Sequence, residues 1–102
     1  MLELSDSTFQ EYILNAKLPV LVDFWAPWCG PCKILGTILK KLDTLQDLQA
    51  KICKVNVDEN PELSTRFHIR SIPAVLIFKN GELVDEIIGL KPEATYIQAL
   101  ED

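Results

Sequence analysis

Cys29 and Cys32 are separated by only a glycine and a proline. They stand where an apolar run, Val20 to Trp25, gives way to apolar residues at helical spacing: Ile34, Leu35, Ile38, Leu39 and Leu42. A strand that turns into a helix places polar chemistry at the exposed end of a buried scaffold. Two thiols at this spacing admit three chemistries. A structural disulfide would close a loop of four residues, for which loop-closure entropy gives about 1.9 kcal/mol against roughly 3 for fifteen residues, so it is a poor staple. A zinc site needs four ligands, formally available as Cys29, Cys32, Cys53 and His68. Zinc ribbons, however, offer a second paired knuckle, whereas Cys53 and His68 are isolated in apolar or helical surroundings. Reversible dithiol exchange requires a pair close enough to close and open in place, which this spacing supplies.

The local pattern also distinguishes the two thiols. With Cys29 as the helix cap, Pro31 falls in the first turn, where its missing N–H is no loss, and the Cys32 N–H becomes the natural donor to the Cys29 sulfur. That arrangement favours a thiolate at Cys29. A helix terminus contributes about 0.3 to 1 kcal/mol to such a charge, up to about 2 when partly buried, and about 1.4 kcal/mol moves a pKa by one unit. Asp23 is the one polar residue inside the Val20 to Trp25 run. A carboxyl there has either a hydrogen-bonding role or a proton to move, and burial should raise its pKa. Cys53, between Ile52 and Lys54, reads as a small buried apolar residue, and His68 as a surface or helix-capping one.

Length and composition set the bounds. A chain of 102 residues with 48% hydrophobic residues makes one domain, 1–102, with a good core. Its formal charge of −5 argues against nucleic acid as a partner. The N-terminal residues lack a basic segment followed by an apolar run, and the longest apolar stretch, Ala74 to Phe78, is far too short to span a bilayer. Three cysteines make no disulfide framework, so the cytoplasm is the expected compartment.

The surrounding pattern supplies the scaffold. Leu2 to Leu4 forms a short first strand, and Ser5, Asp6 and Ser7 offer oxygens to cap a helix carrying Phe9, Ile13 and Ala16. The near-continuous apolarity of Val20 to Trp25 suits a parallel strand covered on both faces. Lys51 to Asp58 forms another central strand, after which Asn60 caps and Pro61 opens a short helix with Leu63 and Phe67. Ala74 to Phe78 is a third apolar strand. Asn80-Gly81 joins it antiparallel to Leu83 through Ile88. Pro92 opens a last helix presenting Tyr96, Ile97 and Leu100. The order predicts an α/β architecture with a mixed central sheet of four or five strands and helices on both faces.

Val22-Asp23-Phe24-Trp25-Ala26, running into Trp28-Cys29-Gly30-Pro31-Cys32-Lys33, resembles the thioredoxin family, and the likeness extends through Ile72-Pro73 and Phe78-Lys79-Asn80-Gly81 to Gly89. The resemblance implies the thioredoxin fold and a thiol–disulfide oxidoreductase that reduces protein disulfides, with Cys29 as nucleophile and Cys32 as resolving thiol. It implies a thioredoxin reductase as the partner that carries the NADPH and flavin; this chain has no glycine-rich nucleotide fingerprint and is expected to bind no cofactor or metal. It places Trp28, Gly30, Pro31, Ile72, Pro73 and Gly89 on the surface that holds an extended substrate, with Ile72-Pro73 cis; core packing is the alternative for Trp28, and of the two tryptophans Trp25 reads as the core residue. It sets Asp23 beneath the second cysteine as a candidate base, approached by Lys54. A monomer, free of nucleic acid and membrane, is expected. A redox-silent binding subunit with the same fold is the alternative, since fold does not dictate function, but both thiols and the Gly-Pro insert stand against it. The sequence departs from the family at Thr37, after Gly36, where thioredoxins usually carry a helix-kinking proline.

Overall fold

The strand over Val20–Trp25 (β2) is buried on both faces along nearly its whole length, and the rest of the fold is arranged about it. The computed structural model describes residues 1–102. Beside β2 on one side lies Lys51–Asn56 (β3), parallel and in register from Val20↔Lys51 to Trp25↔Asn56. On the other lies Ala74–Lys79 (β4), antiparallel, with Phe24 opposite Ala74. The edges are Leu2–Glu3 (β1), parallel to β3, and Glu82–Ile88 (β5), antiparallel to β4, giving five strands in the order β1-β3-β2-β4-β5. β3 stops at Asn56, two residues short of the run read from sequence, because Asn56 and Asp58 enter a side-chain turn in which the Asp58 N–H donates to Asn56 Oδ1 at 2.9 Å.

Side chains alternate across β2, and the two faces bury different layers. Val20, Val22 and Phe24 pack with Phe9 and Ile13 of α1 (Phe9–Asn15) and Leu63 of α3 (Pro61–Arg66). Edge-to-face contacts between Phe9, Phe67 and Phe78, with centroids 5.4 to 5.7 Å apart, knit that layer. Leu21 points the other way, against Leu35, Leu39 and Leu42 of α2 (Gly30–Asp43) and Tyr96, Ala99 and Leu100 of α4 (Glu93–Glu101). Within α2, Thr37 Oγ1 donates to the Lys33 carbonyl at 3.2 Å and the helix continues unbroken to Asp43. In α4, Ala99 is buried and Ile97 is only partly so, and Pro92 is the cap residue rather than the first helical one.

The turns match their residue types. Asn80 and Gly81 both have positive φ, 54° and 80°, as the tight hairpin between β4 and β5 requires. His68, at φ 54°, terminates α3 with its N–H on the Thr65 carbonyl, so its part is the backbone of a helix end.

Helix capping differs from the expectation. Asp6 does not cap α1, whose cap residue is Thr8. Its carboxylate reaches across to α3, accepting the Leu63 N–H at 2.9 Å and the Glu62 N–H at 3.4 Å. Asn60 makes no side-chain cap bond to α3; its Oδ1 accepts the Asp6 N–H at 2.9 Å and its Nδ2 donates to the Asn56 carbonyl at 2.9 Å. Asp6→Ala should therefore lower stability by about 1 kcal/mol, the ordinary worth of an N-cap, though Asp6 lies outside the helix it caps. Urea unfolding checks this; an unchanged midpoint would mean water replaces the carboxylate.

Candidate active site

The register brings four loops to one end of β2. Because β4 runs antiparallel with Ala74 opposite Phe24, the residues preceding it, Ile72 and Pro73, lie beside the chain leaving β2. Ala74 also pairs with Ile88, which brings Gly89 alongside: its N–H donates to the Pro73 carbonyl at 2.8 Å. β3 ends level with Trp25, so the turn after Asn56 falls next to Trp28.

Cys29 is the cap residue of α2, in extended conformation, and its sulfur accepts the Cys32 N–H at 3.2 Å. Pro31 occupies the first turn as expected. The two cysteines form a disulfide, packed with Ala26 and against Trp25, Val57 and Ile72. Both are nearly buried, at 5% and 3% exposure. Gly30 and Pro31 between them are exposed. Cys29 Sγ lies 3.9 Å from the Ile72 carbonyl oxygen, and the Ile72-Pro73 peptide is cis. Pro73 is buried and Ile72 half-buried. Gly89 has φ +85°, a conformation that disfavours side chains.

Trp28 is 70% exposed, although large aromatics are usually buried. A hydrogen bond holds it in place: its indole Nε1–H donates to Asp58 Oδ2 at 3.0 Å. Asp58 is a residue the sequence reading did not assign; the Asn56-Val57-Asp58-Glu59-Asn60 run, dense in turn formers, was the available signal. Trp25 is more enclosed, with a buried indole N–H that meets no acceptor.

Asp23 is 2% exposed and its Oδ1 has no hydrogen-bond partner. By strand alternation it points with Leu21 toward the α2 and α4 layer. Burial pushes its carboxyl up to about 7, and the charge of Lys54 acts in the opposite sense. Lys54 is directly across from Asp23 in the β2–β3 register, and its Nζ sits 5.0 Å from the Trp25 ring centroid, a cation–π contact. Cys53 is fully buried among apolar residues of the opposite layer, and burial pushes its thiol up. No group of three or more His, Cys, Asp or Glu side chains is placed to hold a metal ion.

The thioredoxin family model matches residues 1–102. The chain is 44% identical over 99 residues to thioredoxin 1 of Nostoc sp., covering 97% of this chain and 92% of that protein. It is 43% identical over 99 residues to the M-type chloroplastic thioredoxin of Spinacia oleracea, covering 97% of this chain and 55% of that one. A solved structure of a mutant thioredoxin from Halobacterium salinarum superposes with a TM-score of 0.88 at 31% identity, over 98% of this chain and 87% of the other. With this fold and this cysteine pair, the chain belongs to the thioredoxin family and is a thiol–disulfide oxidoreductase that reduces protein disulfides.

Proposed function

We propose that this chain acts as a single-domain, monomeric cytoplasmic reductant in which Cys29 is the nucleophile, Cys32 the resolving thiol and Asp23 the base that serves Cys32. The observation that carries this reading is the asymmetry of the pair: Cys29 caps α2 and accepts the Cys32 N–H, whereas Cys32 lies inside the first turn and is the donor of that bond. The Cys29 thiolate attacks a substrate disulfide, forming a mixed disulfide and expelling one substrate thiolate, which takes a proton from solvent. Cys32 gives its proton to the Asp23 carboxylate and attacks the Cys29 sulfur, releasing the second substrate thiolate and closing the Cys29–Cys32 disulfide. Two electrons pass to the substrate.

Trp28, Gly30, Pro31, Ile72, Pro73 and Gly89 form the rim on which a strand-like peptide rests, and Lys54, by favouring the carboxylate, tempers the upward shift of the Asp23 pKa. Exposure of Trp28 and proximity of Ile72 to Cys29 support this reading. Recharging needs an external dithiol or flavoprotein; the family implies a thioredoxin reductase using NADPH. No helix is long and apolar enough to cross a membrane.

The test is a measured reduction potential, by equilibration with dithiol buffers, combined with NADPH consumption in the presence of a thioredoxin reductase and a disulfide protein. A reducing potential and turnover that depends on both partners are expected. A strongly oxidising potential, or no turnover with reductase, would replace this reading with an oxidase or a redox-silent binding subunit.

A further inference from the structure

The loop between β5 and α4 leaves the sheet at Gly89, and its backbone groups have no ladder partner beyond that point. Two of them turn inward onto one atom. Tyr96, fully buried in α4, donates its phenolic O–H to the Gly89 carbonyl at 3.3 Å and accepts the Lys91 N–H at 3.0 Å. A phenol suits this geometry because it is donor and acceptor at one oxygen, carried on a rigid ring that α4 holds in the core. Leu90, between the two anchored residues, is left 38% exposed. From Gly89 the chain of contacts continues to the dithiol: the Gly89 N–H donates to the Pro73 carbonyl at 2.8 Å, and the neighbouring Ile72 carbonyl lies 3.9 Å from Cys29 Sγ.

We propose that Tyr96 is a positioning residue that fixes the Gly89–Lys91 loop against Pro73 and thereby sets the preference of the dithiol for extended polypeptide disulfides over small ones. The inference rests on the reading of Ile72, Pro73 and Gly89 as the peptide-binding rim. An extended peptide gains affinity from main-chain and side-chain contacts that must already be in register when it arrives. A small disulfide needs only the sulfur of Cys29. Without the phenolic oxygen, the Gly89 carbonyl and the Lys91 N–H lose their only buried partner and turn to water, and the rim loses its fixed position.

Tyr96→Phe removes that oxygen and retains the buried ring. Its kinetics are measured with insulin as a polypeptide disulfide and with bis(2-hydroxyethyl) disulfide as a small one, with dithiothreitol as the reductant. The expected result is a KM for insulin raised roughly tenfold, on the scale of one hydrogen-bonded anchor, with its kcat little changed and the ratio of insulin to small-disulfide efficiency falling in proportion. Amide exchange at Lys91 should accelerate by a similar factor, and Tyr96→Leu should lose the same selectivity. An unchanged insulin KM, a parallel loss on both substrates, or a loss in Tyr96→Leu that Tyr96→Phe escapes would each overturn the proposal, the last by assigning the effect to ring packing. Trp28→Ala and Ile72→Asn test the rim itself. If neither raises the insulin KM, the rim reading fails and the inference with it. If both raise it and Tyr96→Phe does not, the rim stands and the role of Tyr96 alone is refuted.

Discussion

Cys29→Ser is expected to abolish disulfide reduction, and Cys32→Ser to halt it midway with substrate covalently attached. The two sulfurs differ in what the fold gives them. Cys29, at the cap, has the Cys32 N–H at 3.2 Å and the unpaired donors of the first helical turn to stabilise a negative charge. Cys32, inside the first turn, spends its own N–H on Cys29 and receives no matching hydrogen bond at its sulfur. Serine at 29 removes the sulfur that the helix terminus activates. Serine at 32 leaves the attack intact and removes the thiol that releases the product. Intact-mass spectrometry after mixing each variant with a disulfide protein separates the two. An adduct should accumulate on Cys32→Ser alone, and equal trapping by Cys29→Ser would reverse the assignment.

The second large effect is expected at Asp23, the carboxyl buried within β2. The Asp23 carboxyl is raised from 3.8 to about 7, with burial the leading cause and Lys54 opposing it. A raised folded pKa means that the stability contribution is complete below the unfolded value, near 4, and is lost as pH climbs through about 7. The full shift corresponds to roughly 4 kcal/mol, an upper bound because the folded state can relax around the charge. Asp23→Ala or Asp23→Asn should thus stabilise the oxidised protein by about 1 to 4 kcal/mol at pH 8 and flatten its stability between pH 4 and 8. The same variants should resolve the mixed disulfide more slowly while the first attack by Cys29 keeps its rate. Urea unfolding over this pH range, with stopped-flow reduction of a disulfide substrate, reads both. Loss of stability at pH 8 together with wild-type resolution would make Asp23 an ordinary core residue.

What was legible in the sequence depended on how local its physical cause is. The Asn80-Gly81 turn, the cap at Cys29 and the doubly covered β2 are written in windows of two to six residues, and the structure has each of them. The inward placement of Asp23 was also readable, since a carboxyl in an unbroken apolar run has few places to go but into the core. The cap on α3 was not. It joins Asp6 to Leu63, and only the docking of the N-terminal segment brings them together. A serine- and aspartate-rich stretch just before a helix reads locally as that helix's own cap. The anchor under Trp28 and the phenol under Gly89 were missed for the same reason: each is a pairing between segments whose proximity only the sheet register creates.

The register shift between Ile77 and Phe78 has a bearing on colloidal behaviour. β5 is an outermost strand with an open row of backbone donors and acceptors, and Leu83, Val84 and Ile88 are exposed on it, a combination that invites another chain to add to the sheet. The irregularity twists the strand midway along its length, where the facing pairs skip from Ile77↔Asp85 to Phe78↔Leu83. Glu82, Asp85 and Glu86 put three carboxylates on the same short strand. A like strand approaching edge to edge would meet both a bent template and its own charge, two features that oppose extension of the sheet past β5 and the fibril growth such an edge could seed.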